Sequence, residues 1–229
     1  MHRYQVVQGI LDTYEEPAYL EVGVQDGTTF HLIKSPRKVA VDPVFQFDVG
    51  EALKRPENEG AAYHSVPSDD YFATAGSGEA FDVIYLDGLH TFDQTFRDLI
   101  NALGVLKEGG TIILDDTVPS SYGASLPDES ECQRFREILY PESPYLWMGD
   151  VYRLVFMLKD YYPQLSYATV NENHGQTVVW REQRPAPVLP RSVEAITRLS
   201  FAEMTLNRTD LNVLDYQAIV AALLRQRSR

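Results

Sequence analysis

Asp87 and His90 stand three residues apart at the end of an apolar run, Phe81 to Leu86. An imidazole titrates near neutral pH, which suits a general base, and a neighbouring carboxylate can orient it. Asp115 and Asp116 close a second apolar run, Thr111 to Leu114. If the two runs are adjacent strands, about 4.8 Å apart, three carboxylates share one small volume. Unpaired, they repel one another and at least one takes up a proton. A divalent cation held by Asp87, Asp115 and Asp116 removes that conflict, and ligands that are all oxygen select Mg²⁺, or else Ca²⁺ or Mn²⁺. The competing expectation is that Asp115 and Asp116 are turn and cap residues beside a metal-free site.

A second grouping lies upstream, in Glu21-Val-Gly23-Val-Gln-Asp-Gly27-Thr28. Two glycines four apart let the backbone turn tightly and approach a ligand with no Cβ in the way. Gln25 occupies the place of the second glycine in the dinucleotide-binding pattern, so pyrophosphate packing is disfavoured. Asp42 ends the next apolar run, where an acid can accept two hydrogen bonds from ribose hydroxyls; alternatively, Asp42-Pro43 is a plain turn. Ser68 and Asp69 follow the third run, placed either for an adenine amine or as a helix N-cap.

Positioning these groups takes a particular scaffold. Runs rich in β-branched residues at Ala18–Val24, Lys38–Val41, Ala62–Val66, Phe81–Leu86 and Thr111–Leu114 alternate with helical stretches at Val44–Lys54 and Thr91–Leu106. In the second stretch Phe92, Phe96, Leu99, Leu103 and Leu106 recur at three-to-four spacing. Strands apolar throughout, separated by amphipathic helices, predict an α/β fold with a parallel sheet covered on both faces. A short amphipathic helix over Tyr4–Tyr14 leads in. Beyond the fifth strand the pattern predicts a loop at Val118–Ser130 and a helix at Glu131–Tyr140. Gly149-Asp150 then caps a helix at Val151–Tyr161, and a hairpin joins Leu165–Val170 to Thr177–Arg181. Gln183–Arg191 holds three prolines and reads as a stiff linker to helical pieces at Val193–Met204 and Leu211–Arg227. The last helix must pack on its own domain or on a second copy in a homodimer. Residues 1–182 are thus the expected main domain and 183–229 a linker with a helical extension.

Bulk properties narrow the partners. The chain has 229 residues, a formal charge of −13 and one cysteine, Cys132. That charge repels phosphate backbones, no run is long enough to span a bilayer, and no secretory leader is read. A small-molecule partner in the cytoplasm is expected. His31, His64 and His174 stand alone and read as core or surface residues. Tyr122, Tyr145, Tyr152, Tyr161 and Tyr162 either line an acceptor pocket or pack in the core.

Glu21-x-Gly23-x-x-x-Gly27 with the distal acid Asp42 resembles the class I S-adenosylmethionine-dependent methyltransferases. Tyr85-Leu-Asp87-Gly-Leu-His90-Thr-Phe-Asp-Gln94, Arg97-Asp98, Leu106-Lys-Glu-Gly-Gly110 and Gly149-Asp150-Val-Tyr-Arg153 are similar to a bacterial small-molecule branch of that family. The resemblance spans about residues 18 to 182. It implies a Rossmann-like sheet of seven strands, six parallel and the last antiparallel. It also implies S-adenosylmethionine as cofactor: Gly23, Gly27 and Thr28 around its methionine part with Glu21 in support, Asp42 on the ribose, Ser68 or Asp69 on the adenine, and Asp87 facing it. Metal-dependent sugar and catechol O-methyltransferases carry acids where this chain has Asp87, Asp115 and Asp116, and the sugar enzymes add a histidine like His90. In such enzymes the metal grips two neighbouring hydroxyls and acidifies the one that attacks, which implies a sugar or other polyol as acceptor. Two rivals stand beside this expectation: a nicotinamide or nucleotide-sugar enzyme on a similar sheet, and a non-catalytic protein that keeps the fold.

Overall fold

The computed structural model describes residues 1–142 and 146–228; Tyr145 lies outside the described residues. The elements are α1 (Arg3–Leu11), β1 (Ala18–Val22), β2 (Arg37–Val41), α2 (Val49–Ala52), β3 (Ala61–His64), α3 (Ser68–Ala73), β4 (Phe81–Leu86), α4 (Phe92–Val105) and β5 (Leu106–Leu114). There follow α5 (Glu129–Leu139), α6 (Tyr152–Tyr161), β6 (Leu165–Val170), β7 (Thr177–Arg181), α7 (Val193–Thr197), α8 (Phe201–Leu206), β8 (Val213–Leu214) and α9 (Tyr216–Arg227).

Among the described residues, eight strands form one sheet in the order β3-β2-β1-β4-β5-β7-β6-β8. Strands β1 to β5 are parallel, and β7 runs antiparallel to both β5 and β6. The expected seven strands are all present; the eighth is the two-residue β8, which adds to β6 from the C-terminal extension. Alternation along each strand feeds two separate cores. Leu20, Val22, Ile84, Leu86, Ile112 and Leu114 pack with α4 and α6 on one face. On the other, Tyr19, Val83, Tyr85 and Ile113 pack with α1, Phe30 and α9. Both faces are therefore buried, which is why the strands are apolar at nearly every position.

Several expected elements differ. The helix over Val44–Lys54 shrinks to α2, because Phe45 and Phe47, two apart, put both rings into one aromatic cluster with His31 and Tyr63. That spacing is the strand period, not the helical one. Strand β5 begins at Leu106 rather than Thr111, since Leu106 already pairs with Phe81. Asp150 does not cap α6; its carboxylate accepts the Phe92 backbone N–H at 2.7 Å and pairs with Arg153. The helix over Val193–Met204 breaks in two, because Ser200 and Glu203 form a reciprocal capping box that starts α8 afresh. Before α9, Asn212 takes a left-handed φ of 49° and turns the chain into β8.

The apolar face of α9 is spent within its own domain. Tyr216, Ile219 and Leu223 are buried against Val6, Val7, Ile10 and Leu11 of α1. Arg227 lies 3.6 Å from the centre of the Tyr14 ring and donates to the Gly109 carbonyl at 3.0 Å. Of the two packing partners expected for this helix, its own domain takes this face. The linker lacks regular structure, yet Arg184 donates to the Leu165 carbonyl and Arg191 pairs with Asp160. Among the described residues no helix is long and apolar enough to cross a membrane.

Candidate active site

Sheet register lines up the candidate residues. Val41, Val22, Leu86 and Leu114 are partners across β2, β1, β4 and β5, so Asp42, Gly23, Asp87 and Asp115 follow them in one row at the carboxyl tips. The hydrogen-bond ladder runs one step further: Gly23 N–H donates to Val41, Asp87 to Val22 and Asp115 to Leu86, at 2.9, 2.8 and 3.0 Å. Strand order reverses between β1 and β4, and parallel sheets open a crevice at such a switch point. A cavity of about 570 Å³ lies there, lined by Gly23, Gln25, Asp42, Ser68, Asp87 and His90, among others. That size is ordinary for a small-molecule site.

The β1–β2 side is built for close approach. Gly23 has φ +86°, and a Cβ on it would sit 1.9 Å from the Asp87 carbonyl oxygen. Gly27 has φ +79°, and its Cβ would sit 2.3 Å from His31 Nε2. Asp42 Oδ2 accepts the Gln25 N–H and Oδ1 the Val44 N–H, both at 2.8 Å, so the acid also stitches the two loops together. Glu21 is buried under them, where its carboxylate accepts the Tyr19 hydroxyl at 2.6 Å. Burial, with the charge of Asp87 behind it, pushes the Glu21 carboxyl up to about 8, so it carries its proton at neutral pH. Thr28 lines the cavity, its N–H donating to Asp26. Ser68 also lines it; its hydroxyl donates to Asp98 at 2.6 Å and accepts from Gln94. Asp69 sits 3.4 Å from Arg97 at the cavity edge.

On the β4–β5 side the acids come together, with partners the sequence did not announce. Arg3, at the start of α1, places one guanidinium nitrogen 2.8 Å from Asp87 Oδ2 and 3.2 Å from Asp115 Oδ2. The Tyr85 hydroxyl donates to the same two oxygens, at 3.2 and 2.6 Å. His174 Nε2 lies 3.0 Å from Asp115 Oδ1, so this histidine joins the cluster and does not stand alone. His90 Nδ1 donates to the Trp147 carbonyl at 2.9 Å and lies 3.2 Å from Asp116 Oδ2, while Nε2 faces Asp87 at 3.4 Å. Burial opposes a charge on His90, but the bond to Asp87 and the charges of Asp116 and Asp87 overcome it and hold the ring up at about 9. Burial pushes the Asp116 carboxyl up to about 8, with Asp115 and Asp87 adding to it. Asp115 is held below the usual carboxylate range despite its burial, by His174 and Arg3.

The metal expectation needs correcting in its ligand set. Among the described residues, the groups whose donor atoms converge are Asp87 with His90 and Asp116, and Asp115 with Asp116 and His174. Neither is the all-oxygen trio Asp87, Asp115 and Asp116. Asp115 and Asp116 are only 2% and 4% exposed and do not line the cavity. Mg²⁺ takes oxygen ligands in near-ideal octahedral geometry, and the Oδ2 oxygens of Asp87 and Asp115 already face a guanidinium and a phenol. The residues present do not fit a bound Mg²⁺. Tyr122, Tyr152, Tyr161 and Tyr162 do not line the cavity: the Tyr152 hydroxyl bonds Leu199, that of Tyr161 bonds Arg191, Tyr162 packs on Phe96, and Tyr122 packs on Phe135. The aromatic that does reach it is Trp147, its ring centre 4.9 Å from that of His90.

A family model for a methyltransferase domain matches residues 20–117, the stretch that contains the whole row of strand tips. That stretch is similar to the methyltransferase domains the model describes. No curated protein matches the sequence. Three solved structures share the fold of this chain. A candidate O-methyltransferase from Klebsiella pneumoniae is 17% identical, with 80% of this chain and 81% of that one covered and a TM-score of 0.54. Cofactor-bound Rv0187 from MTB is 14% identical over 80% and 82%, with a TM-score of 0.55. The O-methyltransferase TomG from Streptomyces achromogenes, in complex with S-adenosylmethionine, is 14% identical over 79% and 81%, with a TM-score of 0.50. The match ends at Thr117, so His174, which bonds Asp115, and Trp147, whose carbonyl holds His90, come from beyond it.

Proposed function

We propose that the chain transfers a methyl group from S-adenosylmethionine to a hydroxyl of a small polar acceptor such as a sugar or polyol. The observation that carries this is the single row of Asp42, Gly23 and Asp87 around one cavity at the switch point, with His90 at its reaction end. Bound S-adenosylmethionine supplies a methyl carbon already made electrophilic by its sulfonium, which passes to the acceptor oxygen as the C–S bond breaks. The protein's work is then to align the oxygen and remove its proton. Gly23 brings backbone against the ligand where a side chain would collide with Asp87. Asp42 has lone pairs left on both oxygens for ribose hydroxyls, beyond the two N–H groups it already accepts. Neutral His90 keeps its Nδ1 hydrogen on the Trp147 carbonyl, which leaves the Nε2 lone pair to take the hydroxyl proton. The acidic cluster and the ring of Trp147 suit a hydroxyl-rich acceptor better than an anionic one.

Titration calorimetry tests the cofactor. Heat is expected with S-adenosylhomocysteine and none with NAD⁺; the reverse would establish the nicotinamide alternative. Asp42→Ala should weaken S-adenosylhomocysteine by about 1–3 kcal/mol, since hydrogen bonds to a charged group are lost and the Gln25 and Val44 loops are released together. An unchanged dissociation constant would exclude Asp42 from the ribose. For the acceptor, formation of S-adenosylhomocysteine is followed across a panel of sugars, polyols and catechols.

A further inference from the structure

Arg3 lies 84 residues from Asp87 in sequence, yet it is the centre of the reaction-side cluster. We propose that its guanidinium stands where a divalent cation would otherwise sit, positioning Asp87 and Asp115, so that methyl transfer by this chain needs no metal. The metal-independence rests on the function proposed above; the positioning role rests on the cluster alone.

Four observations support it. First, the oxygens are committed. Asp87 Oδ2 and Asp115 Oδ2 converge on one Arg3 nitrogen and on the Tyr85 hydroxyl, while Asp87 Oδ1 faces His90 and Asp115 Oδ1 faces His174. Any cation touching the two Oδ2 oxygens would meet a guanidinium in contact with both, and that group does not deprotonate. Second, every carboxylate faces an organic base: Asp87 faces Arg3 and His90, Asp115 faces Arg3 and His174, and Asp116 faces His90. Third, Arg3 is fixed by its element: Val6, Val7, Ile10 and Leu11 of α1 have no exposed surface. The guanidinium is held in place by a buried helix, which a surface ion pair lacks. Fourth, each group of donors that could converge on a metal includes an imidazole, a poor ligand for Mg²⁺, and His90 Nδ1 is already spent on a carbonyl.

The test uses the full chain with Mn²⁺ as probe, read by the loss of its free six-line electron paramagnetic resonance signal. Wild type is expected to leave the signal intact. Arg3→Met, which removes the charge but keeps an unbranched apolar stem, is expected to acquire one Mn²⁺ site, with a gain in affinity on the order of a hundredfold for loss of a unit charge at ~4 Å. Arg3→Met/Asp115→Asn should lose that site again, whereas Arg3→Lys should stay metal-free. A merely structural role for Arg3 would not create a metal site. One equivalent of Mn²⁺ bound by wild type and lost in Asp115→Asn overturns the proposal, and this measurement decides even if Arg3→Met does not fold. A folded Arg3→Met that binds no Mn²⁺ also overturns it. Calorimetry with S-adenosylhomocysteine on the same samples in EDTA tests the function separately: absence of binding there sinks the methyltransferase proposal and leaves the Mn²⁺ result standing.

Discussion

Gly23→Ala should lose cofactor binding outright and unfold well below the wild-type temperature. The φ of +86° places residue 23 in the left-handed region, which costs a residue with a side chain about 1–2 kcal/mol. Its Cβ would also sit 1.9 Å from the Asp87 carbonyl oxygen and 2.5 Å from Gly88 Cα, both backbone atoms that cannot rotate away. Overpacking of this kind adds about 1–3 kcal/mol. The total, roughly 2–5 kcal/mol, is a large part of a typical domain stability of about 5–15 kcal/mol. The relief available is for β1 and β4 to part at their tips, which opens the row that holds Asp42 and Asp87 in register. Gly104→Ala is the matched control. It lies in α4 with nothing within 4 Å of its Cβ, and should leave stability equal or raise it by up to about 1 kcal/mol. Thermal unfolding of both variants, with and without S-adenosylhomocysteine, checks the pair; equal melting temperatures would refute the argument.

His90→Gln should lower kcat by about 10²–10⁴-fold while leaving S-adenosylhomocysteine affinity unchanged, because it removes a base but not the cofactor row. The pH profile carries the sign. His90 is held at about 9, so at neutral pH most molecules carry the imidazolium, which cannot accept a proton. The rate in wild type should therefore climb about tenfold per pH unit below that value and level off above it, and the limb should vanish in His90→Gln. Stability runs the other way. A histidine raised from its ordinary 6.5 to about 9 stabilises the fold fully below 6.5 and loses that contribution as pH rises through 9. Asp116 and Glu21, both raised to about 8, bind their protons more tightly folded than unfolded and add the same trend up to that pH. The melting temperature should fall between pH 6 and pH 9 while turnover rises. A flat rate profile across that range would remove His90 as the base.

The sheet was legible because its strands are buried on both faces and so read as unbroken apolar runs; β4, β6 and β7 match their expected limits at both ends. Strand tips could be named for the same reason, and register then put Gly23, Asp42, Asp87 and Asp115 side by side. The partners of those tips were not legible. Arg3 sits on a helix whose apolar face shows only that it packs, not which strand end its first turn overhangs. His174 had a usable signal: it lies in the hairpin turn, and β7 running antiparallel beside β5 brings that turn to the carboxyl end of β5. Without Arg3 and His174 in view, three acids in a small volume called for a metal. Of the two roles open to the tyrosines, Tyr152 takes the packing one, buried with its hydroxyl on the Leu199 carbonyl.

The contact between Gly149 and His90 separates what can vary in this molecule from what cannot. A Cβ on Gly149, which has φ +61°, would sit 1.6 Å from the His90 carbonyl oxygen, and the neighbouring Trp147 carbonyl holds the imidazole. Met148 and Gly149 in turn hang from the Ala124 carbonyl. A segment grafted over residues 118–142 would thus need to reproduce that one hanging point. Given it, the graft would keep the His90 ring on the Trp147 carbonyl, with the β1 and β2 tips left untouched.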